Sequence, residues 1–193
     1  MRYLNQLDYE AMPYPTDTEH PESEYAVHGN VRMAGCGLCS VCMLVDKLCA
    51  APFSLEECRD LSVSVGANHA IGTDMQILAP AVAERFGLRL SITNDIAELT
   101  NCLRIGGTVI INVGGDHDSY IGTFSNIGHY IVAIQESNNE FCLVDPSWTE
   151  VKYQSEPQCS RVRQQGKLLY ATAEVIQKDT ETRDPAYYLF YKQ

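Results

Sequence analysis

What the sequence has little of narrows it first. Lysine and arginine together number 14 against 25 aspartates and glutamates in 193 residues, a formal charge of −11. A chain that binds nucleic acid or an anionic membrane surface needs a basic patch to neutralise phosphates, so neither partner is expected. Such an acidic balance mostly serves solubility and, at most, leans toward a cationic substrate. Long apolar runs are missing too: nothing approaches the roughly 18–20 residues of a membrane helix. The opening stretch, MRYLNQLDYEAMPYPTDTEHPESEY, has no apolar segment and no small-residue cleavage site, so it does not read as a secretory signal and a cytoplasmic location is expected. No internal repeat and no low-complexity tract interrupts the chain.

Cysteine, by contrast, is plentiful. Of the eight, Cys36, Cys39, Cys42 and Cys49 fall within AGCGLCSVCMLVDKLCA, residues 34–50. A chain of this length buries a full core without staples, and its thiols are clustered on apolar faces, so reduced cysteines are expected rather than disulfides. Three readings of the cluster compete. CxxCxxC opens one iron–sulfur motif, but that motif needs its next cysteine three residues on and a proline after it; here the gap is longer and Ala50 follows. If the stretch is helical, Cys36 and Cys42 diverge by about 120° and lie about 9 Å apart along the axis, which prevents convergence on one ion. No second cysteine pair or histidine pair stands at zinc-ligand spacing. No metal and no cofactor is therefore expected. Core packing suits Cys39, Cys42 and Cys49, which share faces with Leu38, Val45 and Leu48, while Ser40, Asp46 and Lys47 fall elsewhere. It suits Cys36 poorly. That residue stands between Gly35 and Gly37 where the helix begins, and the free amide groups and dipole of a helix N-terminus favour a thiolate.

A single domain, 1–193, is expected. Residues 1–33, with Pro13, Pro15 and Pro21 and no sustained period, read as an extended irregular arm. Helices come next: one from Cys36 to Ala50; one in FSLEECRDLSV with Ser54 and Glu57 as a capping box; one over 73–86 that Pro80 should kink or divide and Gly87 stop; one in DIAELTNCLRIGG. Then the pattern turns to strands at 108–113, 129–135, 140–145 and 186–192, with ESNNE as the turn of a hairpin. KLLYATAEVIQK, 167–178, reads as helix or strand, with helix favoured. Helices first and strands second make an α+β fold.

A nucleophile needs a base. His129 opens one strand of the expected hairpin and Asp145 closes the other, so the two side chains can meet. Cys36, His129 and Asp145 then form the arrangement that activates a thiol for acyl transfer. The glycine-bounded stretch 114–128 reads as a loop over the active cleft. Within it His117 reads as a solvated loop histidine rather than a ligand, as does His69 in GANHAIGTD, and Asp17, Glu19, Glu22 and Glu24 as a solvated face. Trp148 lines the cleft or closes the core edge.

GCGLCSVCMLVDKL, then GHYIVAIQ, then VDP, in that order, resemble the papain-like cysteine peptidases, and most closely the bacterial branch related to the double-glycine leader peptidases. The likeness spans roughly residues 30–148. It implies a papain-like fold, with the helical half carrying the nucleophile packed on an antiparallel sheet, and a peptide or peptide-like substrate. It also implies a glutamine amide six residues before the nucleophile as an oxyanion donor. That position here is Asn30, whose amide offers the same N–H from a shorter stem, with the Cys36 backbone N–H as the other donor. Leu38 stands where relatives often have proline, and no transporter segment is seen after the motifs. The expected function is a cysteine hydrolase cleaving a peptide or related amide bond. Acyl transfer by the same triad, and a catalytically silent peptide-binding module, remain open, with a metal-dependent protein third. Oligomeric state is not readable.

Overall fold

The computed structural model describes residues 1–49 and 51–192. The chain divides into two compact units, Met1–Leu90 with Lys192, and Ser91–Tyr191. No helix among the described residues is long and apolar enough to cross a membrane.

In the first unit, the segment expected to be irregular is partly helical. A 3-10 turn at Gln6–Asp8 is followed by α1 (Glu24–His28) and α2 (Val31–Ala34). Each is started by a side-chain cap, from Asn5, Ser23 and Asn30 in turn. Helices this short carry no hydrophobic period, which is why the sequence pattern does not reveal them. The segment is tied down: Tyr14 is fully buried, and its hydroxyl meets Ser62 Oγ at 2.8 Å and Thr73 Oγ1 at 2.9 Å.

Helix α3 (Cys36–Cys49) is the centre of the unit. Ala50, where the helix read from the sequence ends, lies outside the described residues. Gly37 to Val45 are all buried, so the helix is enclosed nearly all round, and Ser40, expected on a polar face, is buried as well. Helix α4 (Leu55–Ser64) starts with the expected capping box: Ser54 Oγ accepts from Glu57 N at 3.1 Å and Glu57 Oε2 accepts from Ser54 N at 2.9 Å. Helix α5 (Met75–Phe86) begins at its Asp74 cap and is not divided by Pro80; Gly87, at φ 61°, ends it in the left-handed conformation that glycine tolerates best.

Strand β1 (Leu88–Thr93) is not anticipated from the sequence, although Leu88, Leu90 and Ile92 alternate with Arg89, Ser91 and Thr93. Helix α6 (Ile96–Arg104) follows its Asp95 cap. Then come β2 (Thr108–Val113), β3 (His129–Ser137), β4 (Glu140–Val144), α7 (Gln158–Arg161), β5 (Arg163–Gln165), β6 (Leu168–Thr172), α8 (Ala173–Thr180) and β7 (Tyr187–Lys192). The ambiguous 167–178 stretch is both things, a strand to Thr172 and a helix from Ala173. The strands make one seven-stranded sheet in the order β1-β7-β2-β3-β4-β6-β5, with antiparallel pairing from β7 through to β5. One face of the second unit's sheet carries Val109, Ile111, Ile131, Ala133, Phe141 and Leu143, covered by Leu99 and Cys102 of α6 and Ile176 of α8. The architecture is α+β, as expected.

The β3–β4 hairpin turns at Asn138 and Asn139, with φ 54° and 62°, values that asparagine adopts more readily than most residues. Its register shifts once. Gln135 faces Cys142, yet Ala133 faces Leu143, so Ile134 is an extra residue in β3, a bulge.

Candidate active site

Cys36 is the first residue of α3 and is half-buried, whereas Cys39 and Cys42 behind it are buried. Its two glycine neighbours are there for steric reasons. A Cβ on Gly35 would lie 2.4 Å from the Val31 side chain, and one on Gly37 would lie 2.7 Å from Thr73 Cβ. Gly35 thus closes the end of α2 over Val31, and Gly37 lets α3 lie against Thr73, on the approach to α5. None of the eight cysteines is in a disulfide. Burial pushes Cys39 and Cys58 well above the ordinary thiol range, so these two are inert packing groups. Among the described residues no three His, Cys, Asp or Glu side chains gather as metal ligands. Because α3 runs unbroken, Cys36, Cys39 and Cys42 point in different directions.

His129 and Asp145, in the second unit, are brought together as the sequence predicts. His129 opens β3 opposite Val113 of β2, and Asp145 follows the last residue of β4. His129 Nε2 lies 2.7 Å from Asp145 Oδ1, with 7% and 0% of the two side chains exposed. The carboxylate is held from several sides. Oδ1 also accepts from Ser147 N at 2.7 Å and Ser147 Oγ at 3.0 Å, and Oδ2 accepts from Lys152 Nζ at 2.6 Å and Tyr153 OH at 2.6 Å. Burial alone would raise the Asp145 carboxyl; the charges of His129 and Lys152, with their hydrogen bonds, outweigh it and hold the group well below the usual carboxylate range. An ionised carboxylate only accepts hydrogen bonds, so Nε2 of His129 carries a proton and the neutral ring has its basic lone pair on Nδ1.

None of Ser147, Lys152 and Tyr153 is visible in the sequence as a site residue. They come after Asp145 in a turn-rich stretch and converge through side-chain reach, for which no spacing rule exists. The Asp-Pro-Ser run is the nearest signal, since Asp145 forms a turn that bonds the amide two residues on.

Asn30 plays a structural part. Its Oδ1 accepts from Met33 N at 3.1 Å as the cap of α2, and its Nδ2 donates to His28 O at a long 3.4 Å. Gln6, which the sequence does not single out, is a buried amide whose Nε2 donates to Arg32 O of α2 at 2.8 Å, while its Oε1 has no hydrogen-bond partner among the described residues.

The 114–128 loop is anchored within its own unit. The buried Asp179 of α8 accepts from Thr123 N at 3.0 Å, Phe124 N at 3.1 Å and the Tyr120 hydroxyl. Arg183 donates to Val113 O and Gly114 O, and Gln158 to Gly122 O. His117 is not the solvated histidine expected: Nε2 meets Glu181 Oε1 at 2.6 Å and Nδ1 meets Gly115 O at 3.0 Å, so it is another tether. His69 likewise binds Asp74 Oδ2 at 2.8 Å rather than standing free in water. Trp148 is half-buried and packs on the core of the second unit with Lys167 over its ring.

The fold is that of the papain-like C39 peptidase domains. The chain is similar to the peptidase domain of Streptococcus ComA, a bi-functional ABC transporter involved in a quorum-sensing pathway, at TM-score 0.52 and 16% identity, over 82% of this chain and 91% of that one. It is also similar to a putative C39-like peptidase from Bacillus anthracis, at TM-score 0.56 and 13% identity, over 82% of this chain and 89% of that one. At these identities the likeness is one of fold. No protein-family model matches the sequence, and no curated protein matches it.

Proposed function

We propose that the protein is a cysteine hydrolase that cleaves a peptide or related amide bond. The observation that carries the reading is the buried His129–Asp145 pair, with Nε2 committed to the carboxylate, in a chain whose fold is that of peptidase domains. A half-buried cysteine at the first position of a fourteen-residue helix supports it. The reading requires Cys36 Sγ and His129 Nδ1 to come within hydrogen-bonding reach. The thiol gives its proton to Nδ1, and the sulfur attacks the carbonyl carbon. The C–N bond then breaks as the imidazolium protonates the leaving amine, and water, deprotonated by the same nitrogen, hydrolyses the thioester.

The oxyanion needs N–H donors beside the Cys36 backbone amide. Asn30 remains the donor implied by family resemblance, but its carbonyl already caps α2. Gln6 is a second candidate because its buried amide is held against the end of α2, close in sequence to Cys36. A protein that lacked any such donor would be a peptide-binding module, the second reading that Asn30's capping role favours.

The test is labelling with a thiol-reactive peptide probe, the modified cysteine being located by mass analysis. Cys159, which is exposed, serves as the internal reference. Cys36 should react far faster than Cys159, and the fast phase should vanish in Cys36→Ser and slow by a factor of about 100 or more in His129→Ala. Equal rates at Cys36 and Cys159 in the parent protein overturn the enzyme reading.

A further inference from the structure

A histidine–carboxylate pair works as an electrostatic unit: the anion supports the cationic ring, and anything that neutralises the anion weakens that support. In this protein a cation does so at short range. Lys152 Nζ lies 2.6 Å from Asp145 Oδ2, on the oxygen that His129 does not use, and 2.7 Å from Ser147 Oγ. Ser147 Oγ in turn lies 3.1 Å from His129 Nε2. The lysine therefore reaches both members of the pair, one by direct contact and one through a single hydroxyl. Asp145 is completely buried and Lys152 largely so, with 22% of its side chain exposed, which leaves little water to screen the interaction.

The geometry points to Lys152 as a positioning residue of the His129–Asp145 pair, its ammonium holding the buried carboxylate ionised and at the same time limiting the negative charge the imidazole experiences. The catalytic meaning of this rests on the function proposed above; the electrostatics do not. Other groups also stand near the pair. Tyr153 OH donates to Oδ2 as a neutral phenol, and Ser147 contributes its N–H and hydroxyl. Arg183 sits beside Gly128, its guanidinium donating to Val113 O and Gly114 O. Lys167 stands over the Trp148 ring. None of these groups changes its charge when Lys152 is replaced, although Ser147 Oγ loses a donor and the Tyr153 ring loses the ammonium over it.

A lysine that merely fills space predicts one thing, and a lysine acting by charge predicts another. Replacing it by a neutral residue leaves His129 as the main cation beside Asp145, so the ring should hold its proton to higher pH. Two unit charges about 5 Å apart at an effective dielectric near 20 interact strongly enough to move a histidine midpoint by about two pH units, and by about one where water screens the exposed part of the lysine.

The experiment is NMR titration of the ring of His129, assigned by its loss in His129→Ala, in the parent, Lys152→Met, Lys152→Gln and Lys152→Arg. The midpoint should rise by about one unit or more in both neutral variants, and return to within a few tenths of the parent in the arginine variant. Gln keeps hydrogen-bonding capacity toward Ser147 and Asp145, so it provides the measurement if the methionine variant does not fold. Ser147→Ala, which removes a hydroxyl but no charge, should shift the midpoint less than either. A folded neutral variant whose midpoint stays at the parent value overturns the proposal, as does an arginine variant that behaves like the neutral ones. The readout does not use turnover. An inert Cys36 would therefore sink the enzyme reading while leaving the titration intact, and an unshifted His129 in a protein with a reactive Cys36 would sink only the role of Lys152.

Discussion

A carboxylate with no exposed surface and five donor groups around it is demanding to alter. Asp145→Asn keeps the shape but removes the charge opposite Lys152 and His129, and the cost of stranding a buried cation should appear as a loss of about 3–5 kcal/mol in urea unfolding. The pH dependence has a definite sign. The folded-state carboxyl lies below its unfolded value, so its contribution is complete above the unfolded pKa of about 3.9 and is lost progressively as pH falls below that toward the folded value. Urea midpoints between pH 7 and pH 2 should therefore decline at the acid end in the parent and decline less in Asp145→Asn; parallel curves would show that this group is not the source. Asn30 can be separated into its two roles with Asn30→Asp, which keeps a capping oxygen and loses both N–H groups. Stability should hold, whereas Asn30→Ala should lose about 0.5–2 kcal/mol. If Cys36 reactivity toward a peptide substrate also survives in Asn30→Asp, the oxyanion donor is elsewhere, and Gln6→Met becomes the decisive variant.

Helix α5 carries Pro80 in its interior, where the ring has no N–H to offer Gln76. Pro80 is exposed, so Pro80→Ala should restore a backbone hydrogen bond without disturbing the core and raise stability by about 1 kcal/mol or more, part of the gain being offset by a freer unfolded chain. A lower melting temperature would mean that the local backbone is shaped to the ring. The 114–128 loop makes the opposite prediction. Asp179→Ala leaves the amides of Thr123 and Phe124 without their acceptor, and both should exchange with solvent orders of magnitude faster, with a global loss of roughly 2–4 kcal/mol. Legibility at this scale tracks local chemistry. The α4 start is readable because Ser54 and Glu57 satisfy each other within four residues, and the hairpin because its turn and both strands are contiguous. The halves of 167–178 are not, because nothing in LLYAT distinguishes a strand from a buried helix turn, and the switch at Thr172 lacks a side-chain cap to mark it. The histidine and aspartate are legible for the same reason as the hairpin; the lysine, tyrosine and serine around them are not, since long side chains meet across a turn without any period.

For the whole molecule, the excess of acid over base leaves net self-repulsion in the folded state, which salt should relieve. Thermal midpoints are expected to climb between low salt and about 0.5 M, where the screening length falls to a few ångströms. A falling midpoint would mean that specific ion pairs, such as Arg104–Glu136 at 2.8 Å, outweigh the general repulsion. The α+β order of elements is legible from residue patterning alone, helices before strands, and the fold it builds is shared with peptidase domains at 13–16% identity.

The extra residue at Ile134 reaches further than its own strand. Side chains alternate across a pleated ribbon, so carrying the pairing at the asparagine turn unbroken along β3 and β4 would set Asp145 across from Val132, on the opposite side from His129. The bulge restores the parity, placing Asp145 across from Ile131 and hence on the imidazole's side. Deleting Ile134 would tidy the ladder and separate the two groups by the thickness of the sheet. The contact between His129 and Asp145 thus depends on an apparent miscount midway along a strand.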